Sequence, residues 1–123
     1  MKYLGLAYFT PEKFAAMTPE AVEALVSQCP ALDEKMQATG KVLVSASLDD
    51  LDTWRTLRQR DGKTQVTDGP YTESKEVVGG LFIIEADNRD EALRIASMHP
   101  AATLGEAAGW TVELIPVGFY LGR

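Results

Sequence analysis

The chain has 123 residues, 46% of them hydrophobic, with a formal net charge of −6 and a sequence pI near 4.7. That size implies one domain with a real core, and the acidic balance makes phosphate backbones and anionic lipid poor partners, so neither nucleic acid nor membrane is expected. A single cysteine, Cys29, excludes an intrachain disulfide and a four-cysteine zinc site and fits a reducing cytoplasm.

Tyr3 to Phe9 is a compact apolar run bounded by Thr10-Pro11 and reads as a strand. The opening Met1-Lys2-Tyr3-Leu4-Gly5-Leu6 therefore reads as strand rather than leader, and no run approaches the roughly 20 apolar residues that cross a bilayer. Thr18 suits a helix N-cap and Pro19 the first helical position. Val22, Leu25, Val26, Cys29, Leu32 and Met36 then recur at helical spacing, and Gly40 ends the segment. Pro30 lacks the N–H a helix interior needs, so the helix is expected to kink or restart near Cys29. Lys41 to Leu48 reads as a second strand, followed by the acidic loop Asp49-Asp50-Leu51-Asp52.

Trp54 to Arg60 and Lys63 to Thr67 flank Asp61-Gly62, a two-residue hairpin signal. Asp68-Gly69-Pro70-Tyr71 has turn chemistry, and residues 72–76 are expected to form a single helical turn. Val77 to Ala86 is the strongest strand. Asn88 and Glu91 have capping-box spacing ahead of a helix over Arg89 to Met98 that stops at Pro100. Trp110 to Val117 is the last strand. The order β-α-β, hairpin, β-α-β predicts an α+β, ferredoxin-like fold: an antiparallel sheet with helices on one face and an added hairpin.

The stretch Val66-Thr67-Asp68-Gly69-Pro70-Tyr71-Thr72-Glu73-Ser74-Lys75-Glu76, followed by Gly79-Gly80, resembles the signature of the YCII-related, DGPF-type family. Met1-Lys2-Tyr3, the hairpin, Asp90-Glu91-Ala92 and His99-Pro100-Ala101 also match. The likeness covers residues 1–117 as one domain; residues 118–123 run past it as a tail. Tyr71 stands where the name-giving Phe would be, which alters a pocket wall. The resemblance implies a small bacterial protein forming a dimeric α+β barrel, with some relatives encoded near or fused to alternative sigma factors.

Several side chains are candidates for chemistry. With Asp61-Gly62 as a two-residue loop, Arg60 faces Lys63, Leu57 faces Val66 and Arg55 faces Asp68. Arg55 and Asp68 then share the face of Leu57 and Val66. If that face is inward, Asp68 is a partly buried carboxylate held ionised by a guanidinium, and Asp68→Ala costs stability. The plainer reading is an Asp that holds the Gly69-Pro70 turn. His99, the one histidine, falls on the apolar stripe of the second helix, at the negative end of its dipole, which favours imidazolium. In related proteins a His and an Asp have been proposed as an active pair, and the resemblance carries this onto Asp68 and His99. The alternative is a helix-end histidine bonded to a carbonyl before Pro100.

Arg55, Tyr71 and Lys75 are the candidate ligand-binding residues around the signature. Arg55, Arg58, Arg60 and Lys63 make a basic hairpin in an acidic chain, either a solvated edge or an anion site. Cys29 reads as an inert core thiol. No phosphate loop, hydrolase signature or metal-type cluster is present, so no cofactor and no metal are expected. Two functions remain. One is a cytoplasmic homodimeric module binding a small molecule or a regulatory partner. The other is a small enzyme using Asp68 and His99 as an acid/base pair on a small organic substrate. The dimer is expected because both faces of several strands are apolar: Leu81 and Ile83 oppose Phe82, Ile84 and Ala86, and Leu4, Leu6 and Tyr8 oppose Tyr3 and Ala7.

Overall fold

The computed structural model of the chain describes residues 1–122. Strand β1 (Lys2–Phe9) leads through Thr10 into a short helix, α1 (Pro11–Ala15), too brief to show a periodicity in the sequence. Thr18 caps α2 (Pro19–Val26), its hydroxyl accepting from the Ala21 N–H at 3.1 Å. The proline at position 30 breaks the long apolar stripe as its missing N–H requires: α2 ends, and α3 (Cys29–Gln37) starts afresh with Pro30 in its first turn.

After β2 (Val42–Ser47) and a 3₁₀ turn (Leu51–Thr53) come β3 (Arg55–Arg60), β4 (Lys63–Asp68) and β5 (Val77–Glu85). Helix α4 (Arg89–Ala96) is capped by Asn88, whose side-chain oxygen accepts from the Glu91 N–H at 2.9 Å. Pro100 does more than stop that helix. It opens another, α5 (Pro100–Thr103), before a 3₁₀ turn (Glu106–Ala108) and β6 (Thr111–Pro116).

The four long strands form one antiparallel sheet in the order β2-β5-β1-β6. With the hairpin set aside this is the ferredoxin-like β-α-β-β-α-β arrangement expected from the sequence. Alternation along β1 and β5 decides which side chains meet the helices. Tyr3, Ala7, Phe82 and Ile84 are buried on that side, with Met36 of α3 and Ala92, Ile95 and Ala96 of α4. Leu4, Leu6 and Tyr8 of β1, with Leu81 and Ile83 of β5, are the alternate set and stay half-exposed. Val44 and Ala46 of β2 pair with Ile83 and Leu81, and Ile115 of β6 pairs with Leu4, so the same apolar face runs across β2, β5 and β1 and ends on β6, where Ile115 shares it with Glu113 and Thr111. Among the described residues no helix is long and apolar enough to cross a membrane.

β3 and β4 form their own two-stranded sheet with the register the sequence implies, Arg55 opposite Asp68, Leu57 opposite Val66 and Arg60 opposite Lys63. Asp61 and Gly62 both have positive φ, as the two-residue turn demands. The face carrying Arg55 and Asp68 is not inward in the single chain. Arg55 Nε lies 3.1 Å from Asp68 Oδ1, but the Asp68 side chain is 91% exposed. The buried-carboxylate expectation is thereby corrected, because period-two alternation assigns a shared face without saying which face is covered. Asp68→Ala is accordingly expected to leave the chemical denaturation midpoint within error of wild type, since a solvated ion pair contributes little. A clear loss of stability would mean that the hairpin face is covered in solution. Residues 72–76 form bends and not the helical turn expected of them.

Candidate functional site

The fold brings the β1–β5–β2 strands, the first turns of α3 and the α4–α5 corner around one cavity of about 200 Å³. Its polar lining includes His99, Asp33, Cys29, Ser45 and Ser47, and Phe9, Ala46 and Trp110 supply apolar wall. The glycine pair of the signature, Gly79-Gly80, forms part of the floor. A Cβ at Gly80 would press on the Ala46 carbonyl, so the bare backbone is what lets β2 close over it.

His99 sits between the two helices of the corner. Its ring Nδ1 accepts from the Ala101 N–H at 3.0 Å, which makes it the N-cap of α5. Nδ1 is therefore unprotonated, and the neutral ring carries its proton on Nε2. The ring stacks on Phe82 with centroids 5.0 Å apart and planes 25° from parallel. Burial holds its pKa below the ordinary value, opposed by the charge of Asp33. The imidazolium expected from the α4 dipole is thus corrected. The N–H of the next helix occupies one nitrogen, and desolvation of the buried ring outweighs the charge of Asp33. The local bond is also the reverse of a bond to a carbonyl, since the ring accepts here.

Asp33 and Cys29 lie one helical turn apart on α3 and so share a face. The Cys29 thiol is pushed up by burial and then by Asp33, and Sγ donates to the Leu25 carbonyl at 3.7 Å. It is a protonated thiol in the cavity wall rather than a nucleophile. Asp33 was not among the residues singled out from the sequence. Its signal was the i, i+4 spacing from Cys29, which puts a carboxylate beside the buried stripe.

The YCII-related domain matches residues 1–115. The chain belongs to the YCII-related family. An uncharacterised protein of Rhizobium meliloti (strain 1021) is 33% identical over 96 residues, covering 78% of this chain and 77% of that protein. Among solved structures it is similar to the 5-chloro-2-hydroxyhydroquinone dehydrochlorinase TftG of Burkholderia phenoliruptrix AC1100 in complex with 2,5-dihydroxybenzoquinone. That match has 20% identity and a TM-score of 0.44 and covers 92% of this chain and 91% of the other.

In this YCII-related chain the residues nominated from the signature do not converge on His99. Asp68 does not line the His99 cavity. Arg55 is held at the hairpin base, where it pairs with Asp68 and donates to the carbonyls of Asp52 and Trp54 at 3.1 and 2.8 Å. Tyr71 stands exposed with Arg58 over its ring, 5.7 Å from the centroid, and lines a separate groove beside the hairpin. Lys75 is exposed and lines neither space. The carboxylate that faces the histidine within one chain is Asp33.

Proposed function

We propose that this protein is a homodimer that binds a small, neutral organic molecule in the His99 cavity, with the Nε2–H of His99 as donor and Asp33 as acceptor. The observation that carries the reading is one apolar cavity holding a half-buried histidine with Nδ1 already satisfied and a carboxylate whose field reaches it. Such a site suits a compact ligand bearing a carbonyl or hydroxyl. A volume of about 200 Å³ lies below the usual range for drug-sized molecules. The enzymatic alternative uses the same place: with Nδ1 occupied, His99 polarises a carbonyl by donating to it, and Asp33, not Asp68, supplies the carboxylate.

The test is a fragment screen read by NMR at the His99 ring and the Ala101 N–H. Keto and hydroxy fragments are expected to shift both, and His99→Phe is expected to weaken binding about tenfold, the worth of roughly one hydrogen bond. Shifts that map away from the cavity, or His99→Phe binding as well as wild type, would overturn the assignment.

His99 also sets a pH dependence. Its folded-state pKa lies below its ordinary value of 6.5, so the unfolded chain takes up the proton first. The contribution of the neutral ring is fully present above about 6.5 and is lost as pH falls through the lowered folded-state value. His99→Asn keeps a side-chain acceptor for the Ala101 N–H and removes the titration. Denaturation curves across this window are expected to fall more steeply for wild type than for the variant. Parallel curves would show that the ring does not titrate from a buried site.

A further inference from the structure

The hairpin is poorly placed as part of a single chain. β3 and β4 pack chiefly on each other, and Leu57 and Val66, cross-strand partners, are 65% and 60% exposed. A two-stranded hairpin alone is marginal in water. Its charge is also out of keeping with the rest. Four cations (Arg55, Arg58, Arg60, Lys63) against Asp61 and Asp68 give it a net +2 in a chain of −6. Among the described residues, Arg58, Arg60 and Lys63 pair with no carboxylate.

At the base of the hairpin lies an open groove of about 740 Å³ with the opposite character. Tyr8, Trp54 and Tyr71 give it aromatic faces, and Glu73 and Glu76 line it. Neither glutamate forms an ion pair among the described residues. The Tyr8 phenol donates to Glu113 at 3.0 Å. That bond, slight desolvation and the charges of Glu113 and Glu76 raise its pKa, consistent with a negative field at this edge.

We infer that the hairpin Arg55–Asp68 is an exchanged arm: in the homodimer, the arm of each copy docks in the aromatic and acidic groove of the other. This rests on the reading of the protein as a homodimer through the open sheet face, which adjoins the groove at Tyr8. The charged face of the arm then has a use. Arg58, Arg60 and Lys63 lie on the face opposite Leu57 and Val66, and in the groove of the other copy they meet its aromatic faces and pair with Glu73 and Glu76, an exchange of the Arg58–Tyr71 contact made within one chain. Six residues per strand extend about 20 Å, enough to cross from one copy to its neighbour. The two-fold axis makes the contact reciprocal, arm to groove and groove to arm.

The experiment is a charge swap on the full chain. Sedimentation gives the dimer dissociation constant, and hydrogen exchange of the β3 and β4 amides reports the arm. Arg58→Glu, Arg60→Glu and Lys63→Glu together are expected to raise the dissociation constant at least tenfold and to deprotect the arm. Adding Glu73→Arg and Glu76→Arg is expected to restore both. All five positions are at the surface, so loss of folding is not expected, and circular dichroism checks it. A dimer whose affinity and arm protection ignore the reversal overturns the arm alone, as does a weakened dimer that the compensating pair does not rescue. A wild-type chain that stays monomeric at every concentration overturns the homodimer and the arm with it.

Discussion

Gly5→Ala is expected to destabilise the fold by about 1–3 kcal/mol or more, the usual cost of forcing an extra carbon into a packed interior. Gly5 lies opposite Phe82 in the β1–β5 register, on the helix-covered side of the sheet. Phe82 is fully buried, and a Cβ on residue 5 would run into its ring at Cζ and both Cε atoms. The ring has nowhere simple to go, because its other face is stacked on His99. The substitution therefore acts on the site as well as on stability. Pushing Phe82 pushes the imidazole, and the His99–Ala101 cap is expected to weaken with it. Thermal denaturation measures the first effect, and the Ala101 amide resonance measures the second. Gly118→Ala is the control, since a Cβ there meets nothing within 4 Å. A Gly5→Ala protein with wild-type stability and an unmoved Ala101 resonance would show that Phe82 does not fill the space over Gly5.

The contrast between Gly5 and Asp68 shows what the sequence made legible. The hairpin register could be read to the residue because Asp61-Gly62 permits one turn geometry, and register follows from the turn. The caps at Thr18 and Asn88 were equally local and equally readable. The exposure of Asp68 was not, since it depends on what covers the hairpin, a tertiary fact with no local signature. The same holds for Asp33. A carboxylate on a short helix looks like a solvated charge until the chain reversal at Pro100 sets His99 beside it. Pro100 itself is ambiguous in sequence because a proline can follow a helix or begin one. Here it does both, and the four-residue helix it opens is what fixes the tautomer of His99. The core and strand order were therefore visible in periodicity, whereas the pairing of the site residues came only from the corner that joins two helices.

The homodimer is the prediction with the largest expected effect on the state of the protein in solution. One face of the sheet is covered by helices. The other presents Val44, Ala46, Leu81, Ile83, Leu4, Leu6 and Ile115 across all four strands. A sheet that meets water on one side ordinarily alternates apolar and polar residues, and this one carries leucine and isoleucine where polar side chains belong. Charge is confined to its margins, at Glu113 beside Tyr8 and at Lys2 and Glu85, which pair at 3.5 Å. An apolar centre with a polar rim is the anatomy of an interface. Tyr120, whose ring lies under Lys2 Nζ at 4.7 Å, places the tail at the same margin with Phe119 exposed beside it. A second copy packed sheet on sheet is the expected cover, and an interface of that breadth would belong to the obligate class, above about 2,000 Å² in total. Light scattering at micromolar concentration is expected to give twice the chain mass. Ile83→Lys sets an unpaired charge in the centre of the contact, and its dissociation constant is expected to rise by roughly two orders of magnitude or more, since burying such a charge costs several kcal/mol. Leu93→Lys, exposed on α4 on the helix-covered side of the sheet, is expected to leave the dimer unchanged. A wild-type protein that is monomeric and soluble at high concentration, with Leu4, Leu6, Leu81 and Ile83 open to exchange with solvent, would remove the second copy from the face.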